Sequence, residues 1–141
     1  MPTDDATEIW VAQQRETVVA YLAKQQCKHT GVGDWPAFHV EPYVALWAVQ
    51  SATTPGAIGW WAISGDLPTD YMTNQGLHPR YALRYFSDQW RAMARAMRRG
   101  QQLDGVNLGS PKTWPTLAPL LEARANSLEG WATDNALWIE A

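Results

Sequence analysis

Asp66, Asp70, Tyr71, His78 and Arg80 fall within one short stretch of this chain, and their types suit acid–base work on an anionic substrate. A histidine titrates near neutral pH, so His78 with Asp70 to orient or polarise it would serve as general base or acid. Tyr71 and Trp61 would position a substrate, with Trp60 or Trp61 as one wall. Arg80 would grip a carboxylate in bidentate fashion, and Arg84 lies one helical turn further on. Free amides at the start of the following helix would hold an anionic group beside Arg80. Such a corner fits a small hydrolase or transferase with His78 and Asp70 as its catalytic pair. The same residues also have a wholly structural account. Asp66 follows Gly65 in a position suited to an Asx turn, and Thr69 and Asp70 suit acceptors of loop amides.

Other chemistry finds less support. Asp66, Asp70 and His78 have a spacing that matches no metal-ligand signature. Cys27 and His29 lie two apart with no second pair, which does not make a structural zinc site. His39 reads as a packed side chain. The chain carries no Gly-x-Ser-x-Gly elbow, phosphate loop or Gly-x-Gly-x-x-Gly fingerprint, and no metal or cofactor is expected.

The elements that must position the corner are legible in the periodicity. Asp5 and Glu8 resemble a capping box for a helix from about Thr7 to Gln25, whose apolar stripe of Val11, Val18, Val19 and Leu22 is interrupted by Arg15. Gly31 to Asp34 reads as a loop. Ala37 to Val49 reads as one extended region, with Pro42 placing its first part on an edge or bend. Gln50 to Gly56 supplies a turn, and Ile58 to Ser64 returns as an antiparallel strand. That strand ends in the Gly65-Asp66 turn. Pro68 then stiffens the segment presenting Thr69, Asp70 and Tyr71.

A second helix opens at Pro79 and closes at Gly100, with Leu83, Phe86, Trp90, Met93 and Met97 as one apolar stripe. A third follows Trp114-Pro115, with Leu117, Leu120, Leu121 and Leu128 inward and Gly130 as its stop. Asp134 to Ile139 suits a last helical turn. The expected fold is α+β: a small antiparallel sheet packed against three to four helices, in a single domain over residues 1–141.

Composition narrows the function classes. A hydrophobic fraction of 46% is ordinary for a globular chain and argues against disorder. Nine tryptophans exceed what a core of this size needs, so several are expected half-buried near the surface. Cys27 is the only cysteine, which excludes an internal disulfide and suits a reducing compartment, the cytoplasm. The acidic N-terminus has no basic or apolar region of a secretory signal. No apolar run approaches the roughly 20 residues of a membrane span.

Charge is unevenly placed. Between Pro79 and Gly100 lie six arginines and one acid, Asp88, a balance of +5 in a chain whose net charge is −3. Arg84, Arg91, Arg95 and Arg98 share the face opposite the apolar stripe. That face is either solvated and partly paired with acids elsewhere, or a surface for an acidic partner. Nucleic acid is a poor partner for an acidic chain without a nucleic-acid motif.

The run Pro42 to Trp47, the run Gly59-Trp60-Trp61-Ala62-Ile63-Ser64-Gly65-Asp66-Leu67-Pro68-Thr69-Asp70-Tyr71, and His78-Pro79-Arg80 resemble a bacterial family of small proteins catalogued as a domain of unknown function. The likeness covers most of the chain, from Trp10 to Trp138, and its core is Gly-Asp-Leu-Pro-Thr-Asp-Tyr. It implies a stand-alone bacterial domain and supplies no activity. Many aromatics, lopsided charge and the absence of a nucleophile arrangement point to a non-enzymatic protein-binding domain, with a toxin-neutralising immunity protein as its most concrete form. The hydrolase or transferase corner is the alternative.

Overall fold

Asp5 and Glu8 place two acids in the first turn of helix α1, Asp5–Lys24, where they complement the unpaired amides of a helix start. The computed structural model describes residues 5–66, 69–74, 78–101 and 110–138, and the chain falls into two compact units, residues 1–76 and 77–141. Leu67 and Pro68 of the turn, Ile139 of the last helical turn and the N-terminal residues 1–4 lie outside the described residues.

In the first unit α1 packs on a five-stranded antiparallel sheet: β1 (His29–Val32), β2 (Phe38–Val40), β3 (Val44–Ser51), β4 (Ile58–Gly65) and β5 (Asp70–Thr73). The α+β class is as expected. The strand order is β1-β3-β4-β5, and β2 pairs with the start of β3 while β1 pairs with its end. Val44 to Trp47 and Val49 of β3 are buried, so this strand reads as a continuous apolar run rather than an alternating one. Trp47 is fully buried, and its indole N–H donates to the Ser64 hydroxyl at 3.3 Å, as a buried indole requires. Val11, Val18 and Leu22 of α1 meet Val32, Ala45, Trp47, Val49 and Ala62 in one core, with Trp60 and Tyr71 packed at its margin.

Several boundaries differ from the sequence reading. The extended region from Ala37 to Val49 is a hairpin, β2 and β3, turning through a cis Glu41–Pro42 bond and closed by a Tyr43 N–H to Val40 carbonyl bond of 2.7 Å. Proline offers no ladder donor, so the strand breaks there. The Gly31–Asp34 loop is in part strand β1: Gly31 and Val32 pair with Gln50 and Val49 around an irregularity, a common role for glycine within a strand. Asp70 and Tyr71 lie not on a turn but in edge strand β5, opposite Ile63 and Ala62. Tyr, Met and Thr suit a strand, and an edge tolerates an aspartate.

On α1, Val19 is 38% exposed; the buried stripe is Val11, Val18 and Leu22, with Arg15 half-buried on the same side. Arg15 interrupts it as expected, and is put to use. Its guanidinium donates to the carbonyls of Val32 (2.9 Å) and Gly33 (3.1 Å), satisfying the end of β1. Tyr21 meets Tyr71 edge to face, ring centroids 5.8 Å apart.

The second unit is a helical hairpin followed by a single 3-10 turn, Asn135–Trp138. Helix α2, Pro79–Arg98, buries the expected Leu83, Phe86, Trp90, Met93 and Met97. It ends at Gly100, whose φ of +70° and the Gln101 N–H to Ala96 carbonyl bond make a glycine cap. Helix α3, Trp114–Thr133, runs through Gly130 instead of stopping there. Leu120 is 54% exposed and Leu117 only half-buried; the buried series is Trp114, Ala118, Leu121, Ala125, Leu128 and Ala132. Alanines form half of this seam, because small side chains let α2 and α3 approach closely. The Ser87 hydroxyl, fully buried, donates across it to the Ala125 carbonyl at 2.7 Å.

Two glycines test these assignments in opposite directions. A Cβ on Gly65 would lie 2.0 Å from the Tyr43 carbonyl oxygen, whereas one on Gly130 meets nothing within 4 Å. Gly65→Ala should cost on the order of 1–3 kcal/mol in urea unfolding. Gly130→Ala should stabilise by about 0.5–1 kcal/mol if the helix continues through it, and destabilise if it were a stop.

A pH prediction follows from Tyr21, whose hydroxyl is pushed up to about 12, first by burial and then by the neighbouring Asp70 and Tyr71. In the unfolded chain a tyrosine loses its proton near pH 10. Between about pH 10 and 12 the unfolded state therefore binds fewer protons, and stability falls as pH rises through that window. Tyr21→Phe should flatten that loss in alkaline melts; an unchanged slope would refute the assignment.

Candidate functional site

His78 closes the N-terminus of α2. Its Nδ1 accepts the Arg80 amide N–H at 3.2 Å, and its carbonyl accepts the amides of Tyr81 and Ala82 at 2.9 and 3.1 Å. Pro79 has no amide hydrogen to offer. The free amides expected here are therefore taken, and the imidazole works as a helix cap with its neutral-form proton on Nε2. The ring is exposed and meets Trp138 edge to face at 5.5 Å and Tyr81 at 6.4 Å.

Arg80 does not depend on an acid for its orientation. Its Nε donates to the Ala132 carbonyl at 2.9 Å and its Nη2 to Asn135 Oδ1 at 2.8 Å. The guanidinium also lies over the Trp138 ring, 5.9 Å from its centroid, and the Trp138 indole N–H is held by the Trp131 carbonyl at 2.9 Å. A bare carbonyl at the C-terminus of α3 thus receives a charged donor. Arg80, Tyr81, Arg84, Ala132, Thr133 and Asn135 line a cleft of about 310 Å³.

The arginine face divides into tied and free members. Arg91 donates to Asn126 Oδ1 through Nε (3.2 Å) and Nη2 (2.8 Å), bonds Glu129, and lies 3.8 Å from Asp88. Arg98 pairs with Glu122 at 2.8 Å. These two bind α2 to α3, so Arg91 belongs to the helix pair rather than to an open surface. Arg84 and Arg95 are exposed and make no ion pair among the described residues, and the same holds for Arg99. Around Arg84 lie Tyr81 and Tyr85, 53% and 39% exposed.

The other expected site residues belong to the first unit. Trp61 is 3% exposed and donates its indole N–H to Asn74 Oδ1 at 3.2 Å, so it forms a core side chain rather than a pocket wall. Trp60 and Tyr71 are half-buried against the α1–sheet core. Asp70, half-buried like Thr69, accepts the Tyr71 amide at 2.8 Å, and exposed Asp66 donates its own amide to the Tyr43 carbonyl at 3.2 Å. His39 lies between Trp10 and Trp35, ring centroids 6.2 and 5.6 Å away. Among the described residues no three His, Cys, Asp or Glu side chains gather as a metal site, and no helix is long and apolar enough to cross a membrane.

Asn135, Thr133 and Trp138 were missed in the sequence. Asn135 reaches Arg80 across 55 residues, and only tertiary structure brings them together. Tyr81 and Tyr85 did leave a signal, an exposed aromatic pair spaced four apart around Arg84.

The cap is open to direct test. His78→Ala should lower stability by about 1 kcal/mol, while His78→Asp, which keeps an acceptor at the cap, should stay near wild type in thermal melts. Equal losses in both would refute the capping role.

No curated protein and no solved structure matches this chain. A family model matches residues 4–138, nearly the whole length, and the chain belongs to the family described as Domain of unknown function (DUF4826).

Proposed function

We propose that this is a non-enzymatic bacterial protein-binding domain of the cytoplasm, with neutralisation of a toxin as its most concrete role. The observation that carries the reading is the outer face of α2, where exposed Tyr81 and Tyr85 flank an Arg84 that makes no ion pair among the described residues. Tyrosine and arginine are the side chains that most often dominate protein interfaces, and they supply rigid contact area and directional donors together. Arg95 extends the same positive field along the helix. The partner surface that fits is acidic, with an apolar centre to receive the two rings. A lone cysteine, half-buried and with its thiol pKa raised by burial, accords with a reducing compartment. The Gly65-Asp66 and Thr69-Asp70-Tyr71 segments serve as the family's recognisable mark in this reading, and their contacts are those of a scaffold.

The hydrolase alternative draws no comparable support. Its histidine is engaged as a cap through Nδ1, and the amides expected to hold the substrate anion are bonded to His78.

The test uses whatever protein co-expression with the neighbouring genes recovers as a stoichiometric partner, in a binding assay with a salt series, and failure to recover one at low and moderate salt counts against the reading. Arg84→Glu with Arg95→Glu should slow association at least tenfold at low salt and flatten its salt dependence, with the melting temperature unchanged. Arg91→Glu should instead lower the melting temperature, because it sets a carboxylate against Glu129. Unaltered association in the Arg84/Arg95 double variant would overturn the surface.

A further inference from the structure

The cleft beside Arg80 is built to receive negative charge independently of any protein partner. Of the five N–H donors on a guanidinium, Arg80 spends one on the Ala132 carbonyl and one on Asn135 Oδ1, which leaves three. Both acceptors are neutral. They fix the plane of the group, together with the Trp138 ring beneath it, and Arg80 makes no ion pair among the described residues. Arg84 lines the same cleft with its guanidinium entirely uncommitted among the described residues. Asn135 presents Oδ1 to Arg80, so its amide N–H₂ remains to donate elsewhere.

Among the described residues no acid lines this cleft. The neighbouring Asp134 is engaged in accepting the Ala136 amide at 3.1 Å, and Glu129 is held by Arg91. The Thr133 hydroxyl gives its proton to the carbonyls of Glu129 (2.9 Å) or Gly130 (3.3 Å), and so meets a ligand only as an acceptor. A volume of about 310 Å³ matches the small end of ligand sites.

We propose that this cleft binds a small oxyanion, a phosphate or carboxylate group on a hydroxyl-bearing molecule, between the guanidinium groups of Arg80 and Arg84. Arg80 is the pre-oriented fork and supplies directional bonds; Arg84 closes on the second edge of the anion. Two positive groups with no acid between them among the described residues favour a dianion over a monoanion. The ligand's hydroxyl donates to Thr133 and its oxyanion accepts from Asn135.

Calorimetric titrations of the full chain at constant ionic strength would use inorganic phosphate, glycerol 3-phosphate and malate, with glycerol and chloride as controls. Saturable binding of one equivalent is expected for at least one of the three anions and for neither control, and the tighter of the phosphate and carboxylate arms names the source. Arg84→Gln should weaken that binding at least fivefold without changing the melting temperature, since Arg84 makes no ion pair in the fold. Arg84→Lys, which keeps the charge and loses the fork, should fall between the two. Arg99→Gln removes the same charge elsewhere on the chain and should leave the affinity within twofold. Absence of saturation with all three anions, a loss under fivefold in Arg84→Gln, or an equal loss in Arg99→Gln would overturn the site.

Discussion

Backbone carbonyls at the ends of helices and strands must find donors, and at two such ends in this protein an arginine supplies them. Arg15 reaches from α1 to the carbonyls of Val32 and Gly33 where β1 ends, and Arg80 reaches from α2 to the Ala132 carbonyl near the end of α3. Each satisfies a polar group that would otherwise lose its bond to water on folding. Each also holds one helix in register with the next element of its unit. In the second unit the constraint is sharper, because the alanine seam of α3 and the buried Ser87–Ala125 bond bring two backbones close together. Arg91 and Arg98 add side-chain ties along the same pair of helices. The cleft and the outer face of α2 both inherit their geometry from this apposition.

The division of labour among arginines follows. Those used within the fold face neutral carbonyls, amides or glutamates; those left over face solvent with their charge intact. Arg91 and Arg98 are paired with glutamates of α3, so the run of six arginines presents a smaller free field than its formal charge implies. What remains lies at Arg80 and Arg84 near the start of α2, beside two exposed tyrosines, and at Arg95 and Arg99 near its end. Surface pairs contribute little to stability, so leaving Arg84 without an ion pair among the described residues costs the fold almost nothing. It does leave a strong positive potential where an anion or an acidic partner can use it.

How much of this was legible in the sequence depends on the range of the interaction. Helix α2 was readable from Pro79 to Gly100, because its apolar stripe and both its end signals are local. The β3–β4 pair was readable for the same reason. Val19 and Leu120 were misplaced because hydrophobicity was taken as inwardness, whereas on α3 the small Ala118, Ala125 and Ala132 hold the inward positions. Strand β5 was taken for a turn because Asp70 is a poor strand former, and its pairing with Ile63 is a tertiary fact. The candidate site was half legible: His78, Arg80 and Arg84 stood out by type, but Asn135 and Trp138 lie more than fifty residues away. No local rule connects Arg80 to a carbonyl at position 132.

The stretch from Gly59 to Tyr71 is the most distinctive in the chain, yet packing accounts for most of its described residues. Gly65 lies against the Tyr43 carbonyl, where no side chain fits. Trp61 is buried with its indole N–H on Asn74, and Ser64 is buried to meet the indole of Trp47. Asp70 accepts the amide of Tyr71, whose ring packs on Tyr21. A rare sequence pattern arises wherever several steric and polar demands coincide, and catalysis is only one source of such demands. The side chains with unspent bonding capacity lie instead on α2 and beside the end of α3, in residues of commoner type. Spare donors, rather than unusual residues, are what a ligand can engage.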